Sequence, residues 1–563
     1  MNKKLVAIVA GLAIAFAGTS SFGADFVDEQ QGRVQPPDLT PGWTGAHVDD
    51  LNSMIHPSFI KANKEPEISQ DMATLCHSLK DAACQTPGNI MRYNAYLPSC
   101  ENKYGNSETD CIESVSAIDS SGKEILGVFK TYMPETKAPV TVGDPALGMA
   151  SGWNPSLWNF PGITHQGGSD FLVSASILSY HAPVGNPTEN AQLFTSIFPV
   201  SEVASTQSHE AAHNVANSDG KMLISQYRIN NDQCPLWLGE NQCAVAWPFP
   251  SGVRFKINVR TSGPISGWLH GRLSSPDVKT SSNGNGLKFS IEGAPSLVPI
   301  FSTWKRFETL KPEFQTLLKA LDGPQKGIVY NDGSRTIFDR ASKAPYEKLV
   351  LEHDLDRGDQ SNFDEFAGWL AESDNKALAT KSAWSFYSNQ VQYGNAGGGR
   401  NVATCSDQTA GLAGLVATNA TLYLSTPPVF NEKTGSLDYQ VSSPHFDRNG
   451  KANIGTYDLV IKSAVARCLY GYTSAPVQAS VSIISADGTS QLATSVLNEK
   501  DGWLHLYVAG FGYSAPTLRI KLSQPKLETK PVTTKAVKKI TCVKGKVSRV
   551  VTSATCPSGY KKK

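Results

Sequence analysis

Ten cysteines fall into five pairs of near neighbours: Cys76/Cys84, Cys100/Cys111, Cys234/Cys243, Cys405/Cys468 and Cys542/Cys556. Such a set persists as bridges only in an oxidising compartment, so it predicts a disulfide-stapled chain that works outside the cytosol. In the chain-entropy picture, loops of about ten residues contribute about 2.5–3 kcal/mol each, and the 405–468 loop about 4 kcal/mol. An even, locally paired set leaves no spare thiol for nucleophilic chemistry. The pattern marks compartment and architecture; it does not name a reaction.

The two ends of the chain agree with that compartment. Lys3 and Lys4 precede an apolar run from Leu5 to Ala17, and small residues follow through Gly23. This is the order of a secretory signal, expected over residues 1–23, with cleavage after Gly23 or Ala17. An uncleaved anchor helix is the alternative, but the run is too short to span a bilayer. No other stretch reaches 18 consecutive apolar residues, so no transmembrane segment is expected in the mature chain. At the other end, residues 525–563 carry 11 basic residues against Glu528 alone. That balance of +10 within a formal net charge of +1 leaves −9 for the rest of the chain. An acidic body with a basic tail points to an electrostatic partner, and outside a cell this is an anionic cell-envelope surface. A merely solvated linker is the other reading. Nucleic acid fits poorly, because the acidic body would repel it.

At 563 residues the chain exceeds a single core. Its 47 glycines and 33 prolines favour many turns, and 18% charged residues is too little for disorder. Alternating patterns predict strands over Phe171–Tyr180, Lys221–Ile229, Val253–Val259, Trp268–Leu273 and Leu287–Ile291. Further strands are expected over Tyr457–Ile461, Val477–Ile484, Trp503–Val508 and Leu518–Leu522, with turns at 282–286 (SNGNG) and at Asp487-Gly488. The period changes in between. Phe314, Leu317, Leu318 and Leu321 space a helix over Pro312–Leu321; Phe363, Phe366, Trp369 and Leu370 space a second, and Ala377–Phe386 reads as a third. The expected fold is therefore mainly β, with β-sandwich-like domains and a small helical insertion. Its segments are a β-rich, disulfide-containing region at 24–305, a mixed helical one at 306–395, a β-sandwich-like one at 396–523, and a basic tail at 524–563 with a Cys542/Cys556 hairpin. Gly267-Trp268-Leu269-His270 recurs as Gly502-Trp503-Leu504-His505, which suggests two related β-domains.

Four stretches carry a resemblance: LPSCENKYGNSETDCIESV, GWLHGRLSSPDV, TYDLVIKSAVARCLYGYTSAPVQASVS and the terminal ITCVKGKVSRVVTSATCPSGYKKK. Together they make the chain resemble large secreted or surface-associated proteins of actinobacteria, the terminal cysteine-and-lysine motif being the most distinctive part. The resemblance implies compartment and architecture, and it carries no catalytic residue over.

Few constellations could carry chemistry. His209-Glu210-Ala211-Ala212-His213 has the spacing that puts two histidines on one helix face as Zn²⁺ ligands, with Glu210 placed to activate the metal-bound water. Asp219 is the candidate third ligand and Glu240 the alternative. Against this, Ala216 replaces the glycine that would turn the chain, and Asn217-Ser218-Asp219-Gly220 ends any helix at once. The competing reading is a polar surface turn with solvated histidines. Asp354, Asp356, Asn362 and Glu365 have partial calcium-loop spacing, but Asp359 stands where that loop needs glycine, and Ser361–Asp364 reads equally as a capping box. Trp268, His270, Arg272, Trp503 and His505 could form an aromatic platform for a glycan, although alternating strand positions bury such residues more often. His165 reads as a loop residue without a nearby partner. The chain has no G-x-S-x-G, P-loop or dinucleotide fingerprint. The favoured reading is a non-enzymatic, cell-surface-associated binding or structural protein without a cofactor; the alternative is a zinc metallopeptidase built on His209, Glu210 and His213.

Overall fold

In the computed structural model the described residues are 34–48, 58–64, 72–101, 109–183, 191–204, 214–216, 222–224, 236–239, 242–321, 328–331, 334–337, 345–355, 360–389, 405, 411–524 and 539–563, less a few single positions and short gaps. The fold is mainly β, with three helices among the described residues. The chain divides into two compact units, Met1–Ser474 with Ala479–Leu522, and Ala475–Gln478 with Ser523–Lys563.

In the first unit, the three body segments distinguished in the sequence share one sheet. The strand Gln192–Ala204 pairs with Asp170–Pro183 on one side and Ala379–Asn389 on the other. Ala379–Asn389 pairs with the start of Gly267–Asn283, which pairs in parallel with Leu412–Thr418. From there the ladder continues antiparallel through Ile454–Lys462, Trp503–Gly512 and Ser495–Lys500. The two Gly-Trp-Leu-His copies thus lie in the same sheet, and the boundaries near 305 and 395 do not separate compact units. Periodicity reports the faces of a strand, and the neighbour it pairs with leaves no local trace.

The parallel step depends on close packing. Trp268 stands directly across from Gly414 and is fully buried. A Cβ on Gly414 would lie 2.4 Å from the Trp268 ring, so only glycine fits there. A second layer, from Cys111–Ile118, Arg254–Arg260 and the Gly267–Asn283/Gly286–Arg306 hairpin, shares one core with this sheet: Val115, Ile257 and Ile291 belong to the same cluster as Leu269, Trp384 and Leu415. The SNGNG turn closes the hairpin, with Asn283 opposite Gly286.

Trp43–Val48 lies between the end of Gly286–Arg306 and the parallel strand Val350–Asp354. Two helices cover it: α1 (Pro312–Leu321) and α2 (Gln360–Glu372), which bury Phe314, Leu318, Phe363, Phe366 and Trp369. Proline suits the first turn of α1, where its missing N–H has no partner to lose. The third helix expected over Ala377–Phe386 is instead the strand Ala379–Asn389. Both of its faces are buried over Ala383–Tyr387, so apolar residues fall at every spacing and mimic a helical period. A helix absent from the sequence reading, α3 (Ser463–Tyr470), carries Cys468.

Four of the five cysteine pairs are disulfides: Cys76–Cys84, Cys100–Cys111, Cys405–Cys468 and Cys542–Cys556, with Cα separations of 6.1, 5.0, 5.7 and 5.7 Å. The Cys234/Cys243 pairing lies outside the described residues at Cys234, while Cys243 sits in the strand Gln242–Ala246. The signal segment 1–23 is likewise outside them.

Candidate functional site

The second unit is a small basic knob. Ile540–Lys544 and Val547–Val551 form a hairpin closed by Gly545 and Lys546; Gly545 has φ +56°, a conformation that a two-residue hairpin turn requires and glycine adopts freely. Lys561–Lys562 adds a third strand on the other edge of Ile540–Lys544. Only Cys542 is buried from 539 onward, so no apolar core holds the knob together. The Cys542–Cys556 bridge supplies the constraint instead, as is usual for folds of this size.

Its charge is one-sided. Residues 539–563 contain seven basic side chains (Lys539, Lys544, Lys546, Arg549, Lys561, Lys562 and Lys563) and no acidic one. All seven are exposed. Register places Arg549 and Lys562 on either side of Cys542, so their side chains share its face, about 10 Å apart at the usual strand spacing. Lys561 pairs with Val543 and projects from the opposite face. The Lys563 N–H continues the ladder to the Thr541 carbonyl at 2.9 Å, which puts Lys563 on the face of Lys561.

The first unit holds a cluster that the sequence reading missed. Gly267–Asn283 contains a β-bulge between Ser274 and Asp277, where Ser275 takes φ +50°. Both polar groups of that strained residue are gripped: its N–H donates to Asp458 Oδ2 at 3.1 Å, and its carbonyl accepts from Arg254 at 2.9 Å. Arg254 in turn pairs with Glu292 at 2.9 Å. The His505 ring donates through Nδ1 to the Pro276 carbonyl at 3.3 Å, and Lys500 pairs with Asp277 at 3.0 Å. Burial pushes the Asp458 carboxyl up to about 7, against the Ser275 N–H and the Arg254 charge, which both favour the ionised form. Burial also lowers His505. Asp458 can therefore exchange a proton near neutrality, but at 4% exposure it has no room for a substrate. Its role is to clamp the bulge. The proline of Ser274-Ser275-Pro276-Asp277, inside an alternating run, is the sequence signal for this site, since a central strand admits proline only at a bulge.

No protein-family model matches this chain, and no curated protein matches it.

The zinc candidates His209, Glu210, His213 and Asp219, and the alternative Glu240, lie outside the described residues. Among the described residues no group of three or more His, Cys, Asp or Glu side chains is placed to hold a metal ion. The calcium-loop reading is corrected at Glu365, which lies on α2 and faces inward, accepting from Trp369 Nε1 at 3.0 Å beside His353 Nδ1 at 2.8 Å. Asp356 and Asp359 are outside the described residues. Helix α2 begins at Gln360, ahead of the expected cap at Ser361.

Of the two readings of the Gly-Trp-Leu-His residues, burial holds over an exposed platform. Trp268, His270, Arg272 and Trp503 are buried, because both copies of the motif lie on interior strands of the shared sheet. His270 stacks on Tyr387 and Tyr423, and Arg272 caps Tyr423 at 4.4 Å while donating to the Thr418 and Thr421 carbonyls. This polar-aromatic layer fixes Leu422–Tyr423 and Ser436–Ser442 against the sheet. His165 has a partner after all: Nδ1 accepts from the Gly167 N–H at 3.1 Å, so Nε2 donates to the Asp170 carbonyl at 2.9 Å. A cleft of about 700 Å³ opens between the Cys76–Cys84 loop and Asp144–Leu147. Its lining, which includes Leu79, Lys80, Asn89 and Leu147, contains no aromatic ring on which a sugar would stack. No helix among the described residues is long and apolar enough to cross a membrane.

Proposed function

We propose that the chain is a secreted, non-enzymatic surface protein, in which a basic C-terminal knob holds an acidic, disulfide-stapled β body to an anionic cell-envelope surface. The observation that carries this reading is the knob itself: seven exposed basic side chains, no acidic side chain, and a disulfide in place of a core. A region that spends its whole surface on one sign of charge gains nothing in stability from doing so, and gains affinity for polyanions. The resemblance of the terminal motif to secreted actinobacterial proteins supports the same compartment. So does the disulfide set, which would not last in a reducing cytosol.

The test is cellular. Deleting residues 525–563 is expected to move the protein from the cell-bound fraction to the medium, and 0.5 M salt is expected to release the intact protein, because screening at that ionic strength reaches within a few ångströms. A truncated protein that stays cell-bound would defeat the proposal.

A further inference from the structure

Resting on that reading, we infer that the knob's partner is a flexible linear polyanion, engaged from both faces of the knob, and not the flat surface of a bilayer. The argument is geometric. An element that inserts into a lipid interface turns one apolar face to the lipid with its cations ranged around it, and one held to anionic headgroups by charge alone still gathers its cations on the side that meets them. Here the two exposed valines of the hairpin point opposite ways: Val547 shares the face of Cys542, whereas Val550, one step out of phase with Arg549, lies on the other. The cations divide in the same manner, with Arg549 and Lys562 on the Cys542 face and Lys561 and Lys563 on its reverse. Lys546 occupies the turn at the tip. A plane could meet only one of these sets at a time. A polymer bearing phosphate or carboxylate groups can wrap the knob and meet both, with Arg549 offering the planar fork that suits either anion.

Two variants of equal charge separate the cases: Arg549→Gln with Lys562→Gln, and Lys561→Gln with Lys563→Gln. All four positions are exposed, and peptide mapping of an intact Cys542–Cys556 bridge checks the fold. The mature full-length chain is titrated with inorganic polyphosphate, with poly-glutamate, and with phosphatidylglycerol vesicles between 50 and 300 mM salt. The expected result is polymer binding that weakens about 10–30-fold at 0.1 M salt in each variant alike, since two released counterions fewer lower the salt slope by about 1.4. Binding of polyphosphate alone identifies phosphate as the recognised group, binding of poly-glutamate alone identifies carboxylate, and binding of both means that charge suffices; each supports the inference. Vesicle binding without polymer binding, or one variant silent while the other abolishes binding, overturns it and leaves envelope anchoring standing. Failure of the intact chain to bind any of the three overturns both.

Discussion

The body and the knob solve the same problem by opposite means. The body buries large side chains completely, Trp268, Trp369 and Trp384 among them, and it sets its cations in pairs such as Arg254–Glu292 and Arg467–Glu499. The knob buries one cysteine, ties it to another, and has no acidic side chain to set against its seven basic ones. The difference teaches that charge asymmetry is affordable only where covalent closure has replaced packing. A region without a core has little cohesion with which to resist its own repulsion.

That contrast can be broken at several points. The largest effect belongs to the body's core: Trp268→Ala is expected to cost about 3–5 kcal/mol, because the space opposite Gly414 has nothing to refill it. Urea denaturation followed by tryptophan fluorescence measures this, and exchange protection of the knob amides should not change.

Next comes the buried carboxyl. Asp458 has a folded-state pKa near 7 against an ordinary 3.8, so the folded protein holds its proton more tightly than the unfolded chain. Stability from this group is complete below pH 4 and falls as pH rises toward 7, by about 4 kcal/mol at most. Asp458→Asn removes that slope and stabilises the body at pH 8, read as a rise in urea midpoint. The Arg254 charge acts on the carboxyl from the strand Arg254–Arg260, Tyr507 stands directly opposite, and Tyr457 adjoins it in the chain. His505, lowered by burial, works in the other direction and loses stability as pH falls through 6.5. A wild-type midpoint that rises between pH 5 and 8, with no change in Asp458→Asn, would remove the clamp from the comparison.

The knob's equivalent of Trp268 is its bridge. Cys542→Ser with Cys556→Ser should cost about 3 kcal/mol for a loop of this length and unfold the knob alone. Hydrogen exchange across 540–562 would collapse while the body's melting transition stays in place. The smallest effect is at the surface: Arg467→Ala removes a two-pronged contact with Glu499 at 2.8 Å, yet both groups are solvated, so about 1 kcal/mol or less is expected by thermal melting.

How much of this was legible depended on range. Helix α1 was readable to the residue because Phe314, Leu317, Leu318 and Leu321 repeat within two turns, and SNGNG marked its hairpin because a turn is a local decision. The knob's charge and its cysteine pair were visible for the same reason. Ala379–Asn389 was misread because burial on both faces erases the alternation that identifies a strand. The Asp458 clamp was hidden more deeply: it joins residues 254, 275, 292, 458 and 505, and only Pro276 hinted that the strand broke there. The burial of Trp268 and Trp503 was legible in their alternating strands, but nothing near Trp268 in the chain reveals that Gly414 receives it.

The parallel seam at Trp268 and Gly414 also orders events in time. The strand that begins at Gly267 must wait for one partner at Ala379 and another at Leu412, each more than 100 residues further along the chain. Until both arrive, its two edges stand open and ready to pair with any exposed strand. A chain delivered from its N-terminus, as in synthesis, cannot close its central sheet until the residues beyond 412 have emerged. A copy cut short near residue 395 would present the bare edge meant for Leu412–Thr418 and would be expected to aggregate where the whole chain stays monodisperse.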